Sequence, residues 1–362
     1  MKIGILTFHC AHNYGAVLQC LALRIFLSEL GHDVYVVDYR PKYLTKEYKV
    51  FRLLHWFSKS LTKTISKFFT EPFLIPQRIR RFRNFEEFIH KYLNVTSFHD
   101  ELSDYDCIIL GSDQIWNPAL TNHNYDPVFF GYNAKCKVIS YAASSKQTFL
   151  SDNDKKILKQ YLEKIKFISV REKHLKDLLQ PLVSNEIKVV VDPSLLASVS
   201  SYETVLSQKI LPSNRYILIY EITRHDYTRM VARKIATQLN CEVIEVASSI
   251  SNYNKDIDKI IYSASPADFL SLIKSAECVV TTSFHGTAFS IKFCKNFYSL
   301  RQNNDSDKRI ESLLQELGLI DRMIDPNLFG NYTPVNYDDS LGLLGTFIEE
   351  SKMFLQECLA LE

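Results

Sequence analysis

The sequence predicts an α/β protein built from two Rossmann-like domains with a cleft between them, and three observations predict it. The chain opens with a β-α-β pattern. A second strand-helix series begins near Tyr216. Most of the apolar runs end in small polar residues just before a helical pattern, as the strands of open parallel sheets do.

The first unit is laid out in order. Lys2 to Thr7 reads as a strand and Asn13-Tyr14-Gly15 as a turn. Ala16 to Leu30 reads as a helix with Val17, Leu21, Ile25 and Phe26 on one face, ended by Gly31. Val34 to Val37 is the next strand, and its crossover implies parallel pairing. Further strands are expected at Asp104 to Leu110, Val138 to Ala142, Phe167 to Val170 and Lys188 to Val191, with a helix from His174 to Leu179. The second series runs through strands at Tyr216 to Tyr220, Glu242 to Val246, Cys278 to Val280 and Phe297 to Leu300. Helices are expected over Tyr227 to Leu239, Ser265 to Ala276, Thr287 to Phe293 and Lys308 to Leu317. These patterns place an N-terminal domain over residues 1–200, a C-terminal domain over 210–338, and a terminal helix over 339–362 that packs back on the first domain.

Composition narrows the class. The chain has 362 residues, 46% of them hydrophobic, and a net charge of +2, which suits a soluble globular protein. No apolar run approaches the roughly 18 residues that span a bilayer, and the N-terminal run is too short for a signal peptide. Eight cysteines are scattered without a C-x-x-C pair. They read as thiols of a reducing cytoplasm, and neither a disulfide frame nor a metal site is expected.

A basic, aromatic insertion interrupts the first domain over about 42–99. Between Lys42 and Lys91 twelve Lys or Arg stand against four Glu, a net +8, with Arg78, Arg80, Arg81 and Arg83 clustered. The insertion reads as a helical hairpin with solvated charges, or as peripheral contact with an anionic membrane face or a polyanionic acceptor. No nucleic-acid motif accompanies the charge, so nucleic acid is not expected.

The segment most suggestive of chemistry is Thr281-Thr282-Ser283-Phe284-His285-Gly286, behind the apolar run Cys278-Val279-Val280. Ligands of open α/β folds sit beyond the carboxyl ends of the strands, where helix N-termini attract anions. His285 reads either as a capped-turn histidine or as an acid–base group whose ordinary pKa of about 6.5 suits proton transfer. Asp113 ends a strand and reads equally as a turn residue or as a proton acceptor. Arg171 follows a strand and can offer a bidentate guanidinium to a carboxylate or phosphate; otherwise it pairs with Glu172 or Asp192. Asp192-Pro193 reads as a rigid strand exit.

Six segments taken together resemble the polysaccharide pyruvyl transferase family. They are Thr7-Phe8-His9 with Asn13 to Gln19, Val37 to Pro41, Gly111 to Asn117, Ser169 to Glu172, Val191 to Leu196, and Ser283 to Gly286, in the family's order. The resemblance implies a two-domain fold of the GT-B type. It implies transfer of pyruvyl from phosphoenolpyruvate, as co-substrate and without a cofactor, to a sugar of a bacterial cell-surface glycan. The acceptor would be a glycan or a lipid-linked or nucleotide-linked sugar, modified in the cytoplasm or at the inner face of the membrane. It casts His285 and Asp113 as catalytic residues. Arg171, Ser283, Gly286 and Arg301 become donor-binding candidates, and Asn13, Tyr14, Gly15, Gln114 and Trp116 acceptor-binding candidates. The chain departs from the family at Ser283, where characterised members often carry Arg; Arg301, Lys308 or Arg309 could restore the charge. The alternatives are a GT-B glycosyltransferase using a nucleotide sugar, for which only Glu242 and Glu245 stand on a strand, and a catalytically silent glycan-assembly protein.

Overall fold

In a computed structural model, residues 1–48, 61–99, 101–250 and 257–361 are described, with no side-chain description for residue 47 or for 61–73. Part of the basic insertion, residues 49–60, lies outside the described residues.

The first domain contributes β1 (Lys2–Leu6), α1 (Tyr14–Glu29), β2 (Asp33–Asp38), α2 (Lys42–Thr45), α3 (Leu61–Tyr92), β3 (Val95–Ser97), β4 (Cys107–Leu110) and β5 (Lys137–Ser140). It continues with α4 (Asp152–Leu162), β6 (Ser169–Val170), α5 (Lys173–Leu179), β7 (Lys188–Val189), α6 (Pro193–Leu196) and α7 (Val199–Glu203). The second comprises β8 (Tyr216–Glu221), α8 (Asp226–Leu239), β9 (Glu242–Ala247), β10 (Lys259–Ile261), α9 (Pro266–Ser275), β11 (Cys278–Thr281), α10 (Phe284–Lys292), β12 (Asn296–Leu300), α11 (Asp307–Glu316) and β13 (Met323–Ile324), followed by α12 (Asp338–Ala360).

Two large parallel sheets result, ordered β3-β2-β1-β4-β5 and β10-β9-β8-β11-β12-β13, and β6 and β7 form a third, two-stranded parallel sheet. In both large sheets, the first strand of the domain lies inside the sheet and the chain winds outward from it in both directions. Such a reversal of winding opens a crevice at the strand ends. The central strands are apolar because helices cover both faces: Cys107–Leu110 and Cys278–Thr281 are buried throughout. β3, β10 and β13 were not expected. They are short edge strands of two or three residues, too brief for a period-2 pattern.

Local chemistry sets the helix starts that matter for the crevice. Asn13 caps α1 by accepting from the backbone N–H groups of Gly15 and Ala16. Ser265 and Asp268 form a reciprocal capping box on α9, with Pro266 in its first turn. Ser283 caps α10 by accepting from Gly286 N–H.

Over its described part the insertion carries both solvated and buried charge: Arg80 and Arg83 are exposed, as expected, and Arg81 is not. The insertion ends in the 32-residue α3, and Arg81 on that helix is buried. Arg81 donates to Tyr14 Oη (2.7 Å) and to the carbonyls of His12, Ala247, Ser248 and Tyr262, tying α3 and the first domain to the second. Its guanidinium also packs on the rings of Tyr14 and Phe85, each 4.8 Å from the ring centre. Sequence periodicity does not separate a surface arginine from one whose charge spans a seam. α12 returns to the first domain, where Ser351 Oγ accepts from Val191 N–H and Lys137 donates to the carbonyls of Cys358, Leu359 and Leu361.

Candidate active site

The cleft between the sheets holds a cavity of about 370 Å³. The N-termini of α1 and α10 converge on it, one from each domain, so two positive dipole ends face the same space. His285 stands where they meet. A Cβ added to Gly15 would lie 2.0 Å from His285 Nδ1, so the imidazole rests directly on the glycine backbone. Gly15 is needed for the approach of His285, not of an acceptor.

His285 is 7% exposed, and its Nε2 has no hydrogen-bond partner among the described residues. Asp192 Oδ2 is 3.8 Å away, too far for a hydrogen bond. Burial, with a contribution from Arg171 and against the pull of Asp192, holds the imidazole below its ordinary pKa. It is therefore neutral near pH 7, with one nitrogen free to act.

Behind His285 lies a buried ionic cluster. Arg171 donates through Nε to Glu172 (2.8 Å), through Nη1 to Asp192 (2.7 Å) and through Nη2 to Ser144 Oγ (2.9 Å). Its guanidinium lies 4.1 Å from the Phe284 ring centre. Burial pushes the Asp192 carboxyl up, but Arg171, His285 and the Ser194 N–H outweigh it and hold it at about 2. Both sequence alternatives for Arg171, pairing with Glu172 and with Asp192, are realised at once. Its charge is spent on the cluster, and it borders a second cavity of about 660 Å³ behind Phe284 instead of the space beside His285. Asp192, read as a strand exit, is the residue joining this cluster to the histidine.

The other predicted residues divide. Asp113, Gln114, Asn13 and Ser283 line the 370 Å³ cavity. Asp113 has φ +72°, a conformation that costs a non-glycine residue about 1–3 kcal/mol and concentrates at functional sites. Its Oδ1 accepts from Gln114 N–H, so the turn reading holds as well. Trp116 is a core residue: it is 2% exposed, donates Nε1–H to Phe129 O and stacks on Phe130, away from the cavity. Tyr14 is fully buried at the domain seam, where Oη donates to Ala264 O. Gly286 has its N–H in the Ser283 cap and its Cα against Thr281, where a Cβ would lie 2.3 Å from Oγ1. Arg301 pairs with Glu311 (3.1 Å) and does not border the cavity.

Three residues outside that set face the same space. Lys146 lies beyond β5, and Thr282 and Arg309 belong to the second domain. Lys146 was missed because it sits in a loop with no pattern. Arg309 was one of three cations considered in place of an arginine at 283, and only the fold singles it out. Tyr43, Tyr48 and His123 complete the rim with planar and hydroxyl-bearing groups suited to a sugar.

The fold and cleft define a two-domain α/β protein with an anion-favouring interdomain site. The chain belongs to the polysaccharide pyruvyl transferase family, whose sequence model matches residues 13–304. No curated protein matches it in sequence. Among solved structures it is similar to UDP-GlcNAc 2-epimerase from Neisseria meningitidis bound to UDP-GlcNAc, at 10% identity and TM-score 0.48, covering 100% of this chain and 95% of that one. It is similar to UDP-N-acetylglucosamine 2-epimerase from Rickettsia bellii at 9% identity and TM-score 0.49, covering 99% and 94%. The glycosyltransferase SnogD from Streptomyces nogalater matches at 9% identity and TM-score 0.42, covering 99% and 95%. Likeness at this level carries nothing about this chain's ligands. Among the described residues no helix is long and apolar enough to cross a membrane.

Proposed function

We propose that the protein transfers the pyruvyl group of phosphoenolpyruvate to two hydroxyls of one sugar, forming a ketal and releasing phosphate. The observation that carries this reading is the buried imidazole of His285, whose Nε2 has no hydrogen-bond partner among the described residues, at two converging helix N-termini, in a chain of this family. The donor's methylene carbon takes a proton and becomes a methyl group. A sugar oxygen bonds to C2, the C2–O bond to phosphate breaks, and a second sugar oxygen closes the ring. Two hydroxyl protons are lost; one balances the methyl group and the other leaves with hydrogen phosphate. A neutral His285 can accept the first hydroxyl proton and deliver it, work that general acid–base catalysis rewards by about 10²–10⁴-fold. Asp113, which lines the same cavity, orients or deprotonates the sugar in this reading. The reaction as written uses no metal and no cofactor beyond the co-substrate.

The acceptor is proposed to be a glycan or a nucleotide- or lipid-linked sugar, modified in a bacterial cytoplasm before export, with membrane contact through the insertion a further proposal. Incubation with phosphoenolpyruvate and a panel of β-galactosides should release phosphate, and silence with every glycan acceptor would count against the reading. The nucleotide-sugar alternative is less favoured by the strand ends of the second domain. Glu245 is held by Arg224 (2.6 Å) and Arg229 (3.1 Å), and Glu242 accepts from Asn214, so neither is free for a ribose.

A further inference from the structure

Most cationic side chains buried in this protein are answered by an acceptor. Arg171 has two carboxylates, Arg229 has Glu221 and Glu245, and Arg81 has four carbonyls and a phenol. Lys146 and Arg309 differ. Both are half-buried, both line the 370 Å³ cavity, and neither makes a hydrogen bond or ion pair among the described residues. Burial and then the Arg309 charge lower the proton affinity of Lys146, and burial and then the Arg171 charge lower that of Arg309, to about 10. Asp113 lines the same cavity and its charge favours both cations, but it makes no hydrogen bond or ion pair with either among the described residues, so two cations face the cavity against one unbonded carboxylate. Three residues lining the cavity each carry a buried polar atom with no hydrogen-bond partner among the described residues: Arg309 Nε, Thr282 Oγ1 and His285 Nε2. Thr282 and His285 are 4% and 7% exposed. A buried polar atom left unpaired is costly, and a set of them around one space marks where a ligand's polar atoms belong.

We propose that Lys146, Arg309 and Thr282 form an oxyanion clamp that takes a phosphate ester beside His285 and bridges the two domains. Lys146 reaches in from the first domain and Arg309 and Thr282 from the second, so the anion supplies the direct hydrogen-bonded charge partner that Asp113 does not. This rests on the transfer reading for its choice of phosphate ester. The charge absent at Ser283 is thereby restored from α11 and from across the cleft. Planar Arg309 can offer two parallel N–H groups to two phosphate oxygens, while Lys146 acts as a point charge.

The test is isothermal titration of the full chain with inorganic phosphate, phosphoenolpyruvate, glucose 1-phosphate and UDP. It uses wild type, Lys146→Ala, Arg309→Gln, Thr282→Val and the surface control Lys155→Ala. The clamp predicts that wild type and the control bind the same phosphate-bearing probes. Lys146→Ala and Arg309→Gln should each weaken that binding by about ten-fold or more, as loss of a charged hydrogen bond does. It also predicts that Arg309→Gln melts no lower than wild type without ligand, because it removes an unanswered charge. Equal phosphate binding in all variants, no binding of any phosphate compound by wild type, or a clearly lower unliganded melting point for Arg309→Gln would each overturn it. Phosphoenolpyruvate bound more tightly than phosphate assigns the clamp to the donor. If a sugar phosphate or UDP binds in a clamp-dependent way and phosphoenolpyruvate does not, the clamp stands and the donor reading fails.

Discussion

The strand ends of the second domain divide into a closed half and an open half. At β8 and β9 the crevice is filled from within. Glu221 accepts from His225 N–H, Thr228 Oγ1 and Arg229 Nη2, and Glu245 accepts from Arg224 and Arg229. At β11 the chain offers instead Thr282, His285 and, from the neighbouring α11, Arg309, all facing a cavity with donors to spare. The same contrast separates Arg171 from Arg309. Both border the cavity behind Phe284, yet Arg171 is ion-paired to two carboxylates and Arg309 makes no ion pair among the described residues. Buried charge by itself does not mark a site in this protein; the proposed site is marked by charge with no ion pair among the described residues.

The sharpest way to break the comparison is at the seam. Gly15→Ala puts a methyl group into the His285 ring. It should abolish transfer as fully as His285→Ala, a loss of about 10²–10⁴-fold in kcat, while phosphate binding by calorimetry changes little. Normal activity in Gly15→Ala would remove His285 from the reaction.

Next comes the contrast of the two arginines. Arg171→Ala strands Asp192 and Glu172 without their cation and should cost about 3–5 kcal/mol in urea denaturation, whereas Arg309→Gln should cost none. The reverse order would show Arg309 to be the structural residue.

The closed half predicts a pH effect. Burial pushes the Glu221 carboxyl up to about 7, against the pull of Thr228 and Arg229. A raised folded-state value means that the stabilising contribution is complete below the ordinary carboxyl pKa near 4.5 and is lost as pH rises through about 7. The wild-type melting temperature should therefore fall more between pH 5 and 8 than that of Glu221→Gln. The open half predicts the opposite sense. His285 is held below its ordinary value, so transfer should persist as pH drops below about 6.5 and fade only when the depressed pKa is crossed, which a kcat/KM profile will show.

The smallest effect is expected at Arg301. Its pairing with Glu311 is half-exposed, worth about 0–1 kcal/mol, and Arg301→Ala should leave phosphate affinity unchanged. A ten-fold loss there would return the donor role to Arg301.

The sequence by itself determined the two parallel α/β domains, because apolar runs of four to six residues alternate with amphipathic helices at crossover spacing. It also determined the cap at Ser283 and the candidacy of His285, since each is a local pattern with a local cause; the expected turn at Asn13-Tyr14-Gly15 is instead the cap and first residues of α1, two positions earlier than expected. Tertiary structure decided which of the singled-out residues face the cleft. Trp116 and Tyr14 carry binding-type side chains but point into packed seams. Arg81 sits in a basic run yet spans two domains, and Lys146 meets Arg309 across 163 positions of sequence. The physical reason is the same in each case. Whether a charge or a ring is answered by the protein or left for a ligand depends on partners distant in the chain, and no periodicity records them.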